Sequence, residues 1–153
     1  AGAGASLALM GDITVAAKSA SLAFVFAPKL GLVPDMGGTY FLARRIGEAR
    51  ARAFALTGQP IGAEEAARIG LIAECVEDAQ FESRTSEIVA ALAAGPRDAF
   101  LGVRALMATA VTASLPAQLE AEAAAQAKLG DSPDFVEGVT AFREKRSPKF
   151  GAR

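Results

Sequence analysis

The chain has 153 residues, 52% hydrophobic and 22% charged, with a formal net charge of −1. That is the composition of a soluble globular protein with enough length for one core, and a near-zero charge argues against nucleic acid as the main partner. With no histidine and a single cysteine, Cys75, the chain has no Ser-His-Asp or Cys-His catalytic set, no internal disulfide and no usual zinc site; no metal is expected, and a reducing, cytoplasmic compartment is.

In chain order, Ala1 to Ser6 is rich in glycine and alanine, and Leu7 to Met10 reads as a short buried helix ended by Gly11. The glycines invite a dinucleotide-binding reading. That fingerprint needs a third glycine where Leu7 stands and a preceding strand, which is absent. A helix start built from small residues does present free N–H groups to an anion or oxyanion, and Ala3 and Gly4 are placed for that. Asp12 to Ala17 reads as a β-strand and Ser21 to Phe26 as a second extended, apolar piece. The apolar region from Ile13 to Val33 is interrupted by Lys18, Pro28 and Lys29, too often for a membrane span. The opening residues show no signal peptide. A chain that starts at Ala1 on a glycine-rich turn reads as the later part of a longer protein.

The stretch from Lys29 to Tyr40 (KLGLVPDMGGTY) carries the clearest chemical signal. Pro34 biases Val33 towards an extended conformation, and Gly37 and Gly38 allow a tight turn before a helical pattern begins. Asp35 is therefore expected in a loop between extended chain and helix. No other acidic residue lies between Asp12 and Glu48. Apolar neighbours should desolvate this carboxylate and raise its pKa towards that of a general acid or base. The same residues also fit an Asx turn or a helix N-cap.

From Gly38 onwards helical patterns dominate. Tyr40 to Ile46 and Ala49 to Leu56 are separated by Gly47, a short helix spans Ile61 to Gly70, and Leu71 to Val76 is a short strand. Helices are then expected at Phe81–Ala94, Ala99–Ala113, Pro116–Leu129 and from Pro133 onwards. The last ends in a basic tail, Arg143, Lys145, Arg146, Lys149 and Arg153. Cations in a last helical turn favour the helix dipole without any ligand, and they could equally meet a phosphate.

Taken together, Gly2-Ala-Gly4-Ala-Ser6-Leu-Ala-Leu, Asp12-Ile13, Lys29-Leu-Gly-Leu-Val-Pro34, Gly37-Gly38-Thr39, Leu56-Thr57-Gly58, Ala63-Glu64-Glu65-Ala66, Gly70-Leu71-Ile72 and Glu144-Lys145-Arg146-Ser-Pro148 resemble the crotonase (enoyl-CoA hydratase/isomerase) superfamily over essentially the whole chain. The resemblance implies an α/β fold of stacked ββα turns, the ClpP-like superhelix. Residues 1–80 would form the C-terminal part of its core and residues 81–153 the helical trimerisation region, with the N-terminal part missing. It implies an acyl-CoA thioester as substrate, which carries its own coenzyme A so that no further cofactor is needed. It also implies a homotrimer or hexamer, and an oxyanion hole of two backbone N–H groups. One of these falls at Ala3, with Gly4 beside it; the other lies upstream of Ala1.

The two glutamates that hydratases of this family use correspond to Ser6 and to Phe26 or Ala27, none of them a carboxylate. Adding water calls for a pair of such groups, whereas one base suffices to move a proton. Asp35 matches the working aspartate of some family members, and the surrounding run is most similar to ring-1,2-epoxyphenylacetyl-CoA isomerases of phenylacetate catabolism. The resemblance therefore implies an isomerase with Asp35 as proton shuttle, an acyl pocket built partly by Phe24, Phe26 and Tyr40, and Lys145 reaching a CoA phosphate. The alternatives are an enoyl-CoA hydratase, or a truncated acyl-CoA-binding subunit without turnover.

Overall fold

The computed structural model describes residues 1–151; Arg153 of the basic tail lies outside them. The chain divides into two compact units, residues 1–85 and 86–151 among those described. The division falls after Thr85, inside a helix.

The first unit opens with α1 (Ala3–Ala8), followed by β1 (Val15–Ala17) and β2 (Ser21–Leu22). A single π-type turn occupies Phe26–Leu30, where Pro28 has no N–H to give to a regular helical ladder. Two helices follow, α2 (Gly38–Ile46) and α3 (Glu48–Thr57), then β3 (Ile61–Gly62), α4 (Ala63–Arg68) and β4 (Glu74–Val76). β1 pairs in parallel with β4, with Val15 opposite Glu74, and β2 pairs antiparallel with β3, with Ser21 opposite Gly62.

The strands are shorter than the sequence suggests. Each of the two sheets has only two strands, paired over two or three residues. Ahead of β1 the Thr14 carbonyl still accepts from Ala73 N at 2.9 Å, while its Oγ1 meets Arg45 of α2, described below. The first helix also starts earlier than expected, at the glycine turn. Of the Leu7–Met10 segment only Leu9 is fully buried; Leu7 and Met10 face outward.

The core of this unit is one cluster of Leu9, Phe24, Leu42, Ile46, Ile61, Leu71 and Ile72 with small alanines between them. Leu42 and Ile46 lie four residues apart and therefore share a face of α2. Gly58 ends α3 in the left-handed region (φ 63°), and a Cβ there would come within 2.6 Å of Pro28, so only glycine lets α3 end against the π-type turn.

Helix α5 (Phe81–Ala93) crosses the division. The second unit contains α6 (Arg97–Ala110), α7 (Leu115–Gly130) and α8 (Pro133–Glu144). Ser114 and Ser132 cap α7 and α8 by accepting from the N–H groups of Ala117 and Phe135, each with proline in the first turn. α6 packs on α7, and α7 on α8. Among the described residues no helix is long and apolar enough to cross a membrane.

Candidate active site

The candidate site in the first unit is built on two helix starts. At the first, Gly2 turns the chain with φ 58° and donates its N–H to Ala23 O at 2.8 Å. Its own carbonyl accepts from Ala5 N (3.0 Å) and Ser6 N (3.2 Å). Ala3 and Gly4 are exposed, and among the described residues no backbone acceptor takes their N–H groups. The Phe26 ring lies beside this turn, within about 4 Å of where a Gly2 Cβ would sit.

At the second helix start, Gly38 N donates to Asp35 O at 2.8 Å, and the two residues between them have positive φ, Met36 at 49° and Gly37 at 75°. This is the mirror-image form of a tight turn. A side chain such as methionine adopts it rarely, and such outliers gather at functional positions. The turn points Leu32, Val33 and Met36 outward along with Asp35. The expectation of a desolvated carboxylate therefore does not describe this chain: apolar neighbours in sequence are themselves at the surface here. The capping alternative is also absent, because Gly37 precedes α2 with no side-chain cap. Among the described residues the Asp35 carboxylate has no hydrogen-bond or ion-pair partner.

Between the two starts sits Ser6. It is fully buried (0% exposed), and its Oγ finds no hydrogen-bond partner. A Cβ on Gly38 would come within 2.5 Å of that Oγ and 3.1 Å of Pro34 Cβ, and within 3.5 Å of the Phe24 ring. The start of α2 is thus pressed against α1 one turn beyond Ala3 and Gly4. Phe24, expected to line an acyl pocket, is 1% exposed and supports this contact from the core instead of facing an open surface. Phe26 is also buried. Tyr40 is half-exposed; the Arg44 guanidinium stacks 3.5 Å from its ring centroid and Phe41 meets it edge-on. An apolar cavity of about 260 Å³ runs along β1 and β2, lined by Val15, Leu22, Ile72 and Phe81 among others. It does not include Asp35.

Sequence reasoning passed over Arg45. Its guanidinium donates from Nη2 to Leu9 O (2.7 Å) and Gly11 O (2.9 Å), and from Nη1 to Leu71 O (2.9 Å) and Thr14 Oγ1 (3.3 Å). Partial burial lowers its basicity and the nearby Asp12 charge opposes that. A signal was present: Leu42, Arg45 and Ile46 are spaced i, i+3, i+4, which puts Arg45 on the buried face of α2.

In the second unit Lys145 ends α8 in the left-handed region (φ 54°) and is exposed. The neighbouring tail charges are engaged. Arg146 binds Glu137 through two N–H groups (2.6 and 3.0 Å) and Glu144 at 2.6 Å, while Lys149 N donates to Glu137 at 2.7 Å. These bonds hold the Glu137 carboxyl down at about pH 2, with Arg146 the main cause. A cavity of about 900 Å³ in this unit is lined by Phe135, Val139, Phe142 and Phe150, together with Arg97 and Arg143. Among the described residues no three His, Cys, Asp or Glu side chains gather to hold a metal ion.

The family model described as enoyl-CoA hydratase/isomerase matches residues 1–153. The chain belongs to the enoyl-CoA hydratase/isomerase family. Its curated relatives in the family include a probable enoyl-CoA hydratase of Rhodobacter capsulatus, 50% identical over the whole chain and 59% of the relative. They also include the 1,2-epoxyphenylacetyl-CoA isomerase of Escherichia coli, 43% identical over 98% of the chain and 57% of the relative. Among solved structures, a putative enoyl-CoA hydratase/isomerase from Mycobacterium abscessus superposes with a TM-score of 0.93 at 38% identity, over 99% of this chain and 58% of that one. The fold is the crotonase fold of that family, and the chain spans somewhat under three fifths of the length of the relatives it matches.

Proposed function

We propose that the complete protein is an acyl-CoA isomerase in which Asp35 carries the proton and the Ala3 and Gly4 amides hold half of the thioester oxyanion. The observation that carries this reading is the closed packing around Ser6. Where family hydratases have one glutamate, this chain has a buried hydroxyl enclosed by Gly38, Pro34 and Phe24. Where they have the other, it has the buried Phe26 or its neighbour Ala27. That leaves neither carboxylate of the pair that water addition needs.

Asp35 is the remaining acid, unpartnered and three residues ahead of the Gly38–Ser6 contact. It abstracts a proton from a carbon made acidic by the thioester, the electron pair moves onto the carbonyl oxygen, and the amides stabilise that charge. The same carboxyl returns the proton to a different carbon, shifting the double bond; with a ring epoxide, the carbon–carbon bond between the two epoxide carbons breaks and the carboxyl returns the proton to a ring carbon. One backbone donor of this kind is worth about 3–4 kcal/mol in the transition state. Similarity to the Escherichia coli 1,2-epoxyphenylacetyl-CoA isomerase supports the ring-epoxide substrate.

A hydratase is the second reading, favoured by the higher identity to the relative named a probable enoyl-CoA hydratase. Asp35→Asn in the complete protein is expected to lower isomerisation by ~10²–10⁴ while leaving acyl-CoA binding nearly intact. Near-full isomerase activity in that variant rejects the acid, and rapid hydration of crotonyl-CoA by the unmodified protein favours the second reading.

We further propose that the complete protein self-associates as a trimer or hexamer. The outward-facing Val103, Met107, Leu115 and Leu119 of α6 and α7 support this, since exposed apolar surface of that kind marks association. Coenzyme A contact by Lys145 has less support, because the adjoining cations are already taken up by Glu137 and Glu144.

A further inference from the structure

We infer that Arg45 is a positioning residue: it fixes α1, and with it the exposed Ala3 and Gly4 amides, in a set place and orientation relative to α2. The inference rests on the reading of those amides as oxyanion donors.

Helix α1 has six residues, far too few to be stable by itself in water. Something must set its axis, and α2 does so at two points. Near the amide end, Gly38 abuts Ser6 so closely that no side chain fits between them. At the far end, Arg45 gathers the chain leaving α1. Nη2 bridges Leu9 O and Gly11 O, while Nη1 takes Thr14 Oγ1. Thr14 Oγ1 in turn donates to Ala8 O at 3.0 Å, so the last residue of α1 belongs to the same network. A fourth bond, to Leu71 O, anchors the guanidinium to the segment that follows α4.

The donor geometry explains why arginine stands here. A planar guanidinium presents several N–H groups in a fixed fork, so four acceptors from two distant stretches of chain can be held at once; an ammonium offers no such plane. A cation beside the carbonyls at the end of α1 also favours its dipole. The turn that carries Asp35 is hydrogen-bonded to the first residue of α2 through Gly38 N and Asp35 O. α2 therefore holds both the turn that carries the acid and the helix that carries the amides, and loosening Arg45 lets the amide helix tilt about the Ser6–Gly38 contact. Even a small tilt matters chemically, because a shift of about 1 Å from a remote change can cost on the order of a hundredfold in rate.

The test compares Arg45→Met, Arg45→Lys and Asp35→Asn in the complete protein. Turnover is measured, and so is the carbonyl stretching frequency of a bound, isotope-labelled saturated acyl-CoA thioester, which reports how strongly the amides polarise that oxygen. For Arg45→Met we expect kcat to fall about ten- to a hundredfold with little change in KM, and the carbonyl frequency to move back towards its value in free solution. Arg45→Lys should lie between this variant and the unmodified protein. Asp35→Asn should keep the shifted frequency while losing turnover.

Arg45→Met with unchanged kcat and frequency overturns the inference, even if its thermal stability falls. If that variant does not fold, unchanged values in Arg45→Lys overturn it instead. An unmodified protein whose bound thioester shows no frequency shift refutes the oxyanion reading itself. An active Asp35→Asn alongside a frequency change in Arg45→Met refutes the acid and leaves Arg45 standing.

Discussion

Residues 1–85 enclose Leu9, Phe24, Leu42, Leu71 and Ile72 in one core, whereas among the described residues of 86–151 Ala141 is the single apolar side chain that is buried. The second unit holds Phe142 at 84% exposure and Met107 at 69%. Both regions are rich in alanine and leucine, so composition does not separate them. Shape does. Short elements that turn back on one another at glycines wrap a centre, while three helices of 12 to 16 residues leave large apolar side chains such as Met107, Leu115 and Phe142 outside. The candidate acid and amides sit on the unit that has the core, although that unit too exposes apolar side chains, among them Val33 and Leu56.

Equivalent truncations in the two units should separate them most clearly. Leu42→Ala empties a fully enclosed position and should cost about 2–5 kcal/mol in denaturant unfolding of the complete protein, at every protein concentration. Met107→Ala removes a side chain with little cover of its own. Its effect should stay small in dilute protein and grow with concentration, as expected when stability is drawn from association. A concentration-independent loss at Met107 as large as that at Leu42 would erase the distinction between the units.

A smaller effect is expected at the junction of α1 and α2. Gly38→Ala places a methyl against Ser6 Oγ and Pro34 and should destabilise by about 1–3 kcal/mol, as overpacking does. Calorimetry would register this, and a neutral result would mean that Ser6 can give way.

The smallest effect is confined to the second unit and to acid. The Glu137 carboxyl is held at about 2, below its ordinary 4.5, by Arg146 and the Lys149 amide. A carboxyl lowered on folding stabilises fully above its ordinary value and loses that contribution as pH falls from about 4.5 to about 2. The Lys149 amide, which Glu137 holds, should therefore lose protection over that interval, measured as its exchange rate relative to that of an unfolded peptide at the same pH. Glu137→Gln should remove the part of that loss that follows the Glu137 carboxyl.

The sequence made some of this plain and hid the rest for identifiable reasons. Glycine stops and apolar spacing placed α2 to α8 within a few residues, because those signals are local. Family motifs running the length of the chain fixed the fold. The strands came out too long, since β-branched residues at Ile13 and Thr14 show a preference but not whether a neighbouring strand is there to pair. Asp35 looked enclosed because its neighbours along the chain are apolar; the positive φ of Met36 and Gly37, which turns them all outward, leaves no mark in residue type beyond the glycine itself. Arg45 was hidden for a different reason. Three of its four acceptors are backbone carbonyls, which every residue has, and they lie far away along the chain. Only its place on the Leu42–Ile46 face could have given it away.

That same side chain bears on how the unit assembles. Arg45 reaches 36 residues back to Leu9 and 26 forward to Leu71. Its bonds can close only when segments on both sides of α2 have already arrived, and contacts so distant in sequence form late because long loops must be closed first. Once made, they join the segment after α1 to the segment after α4 through a single group. Neither segment can leave without breaking the hold on the other, so the two should come away together, with no half-opened form in between.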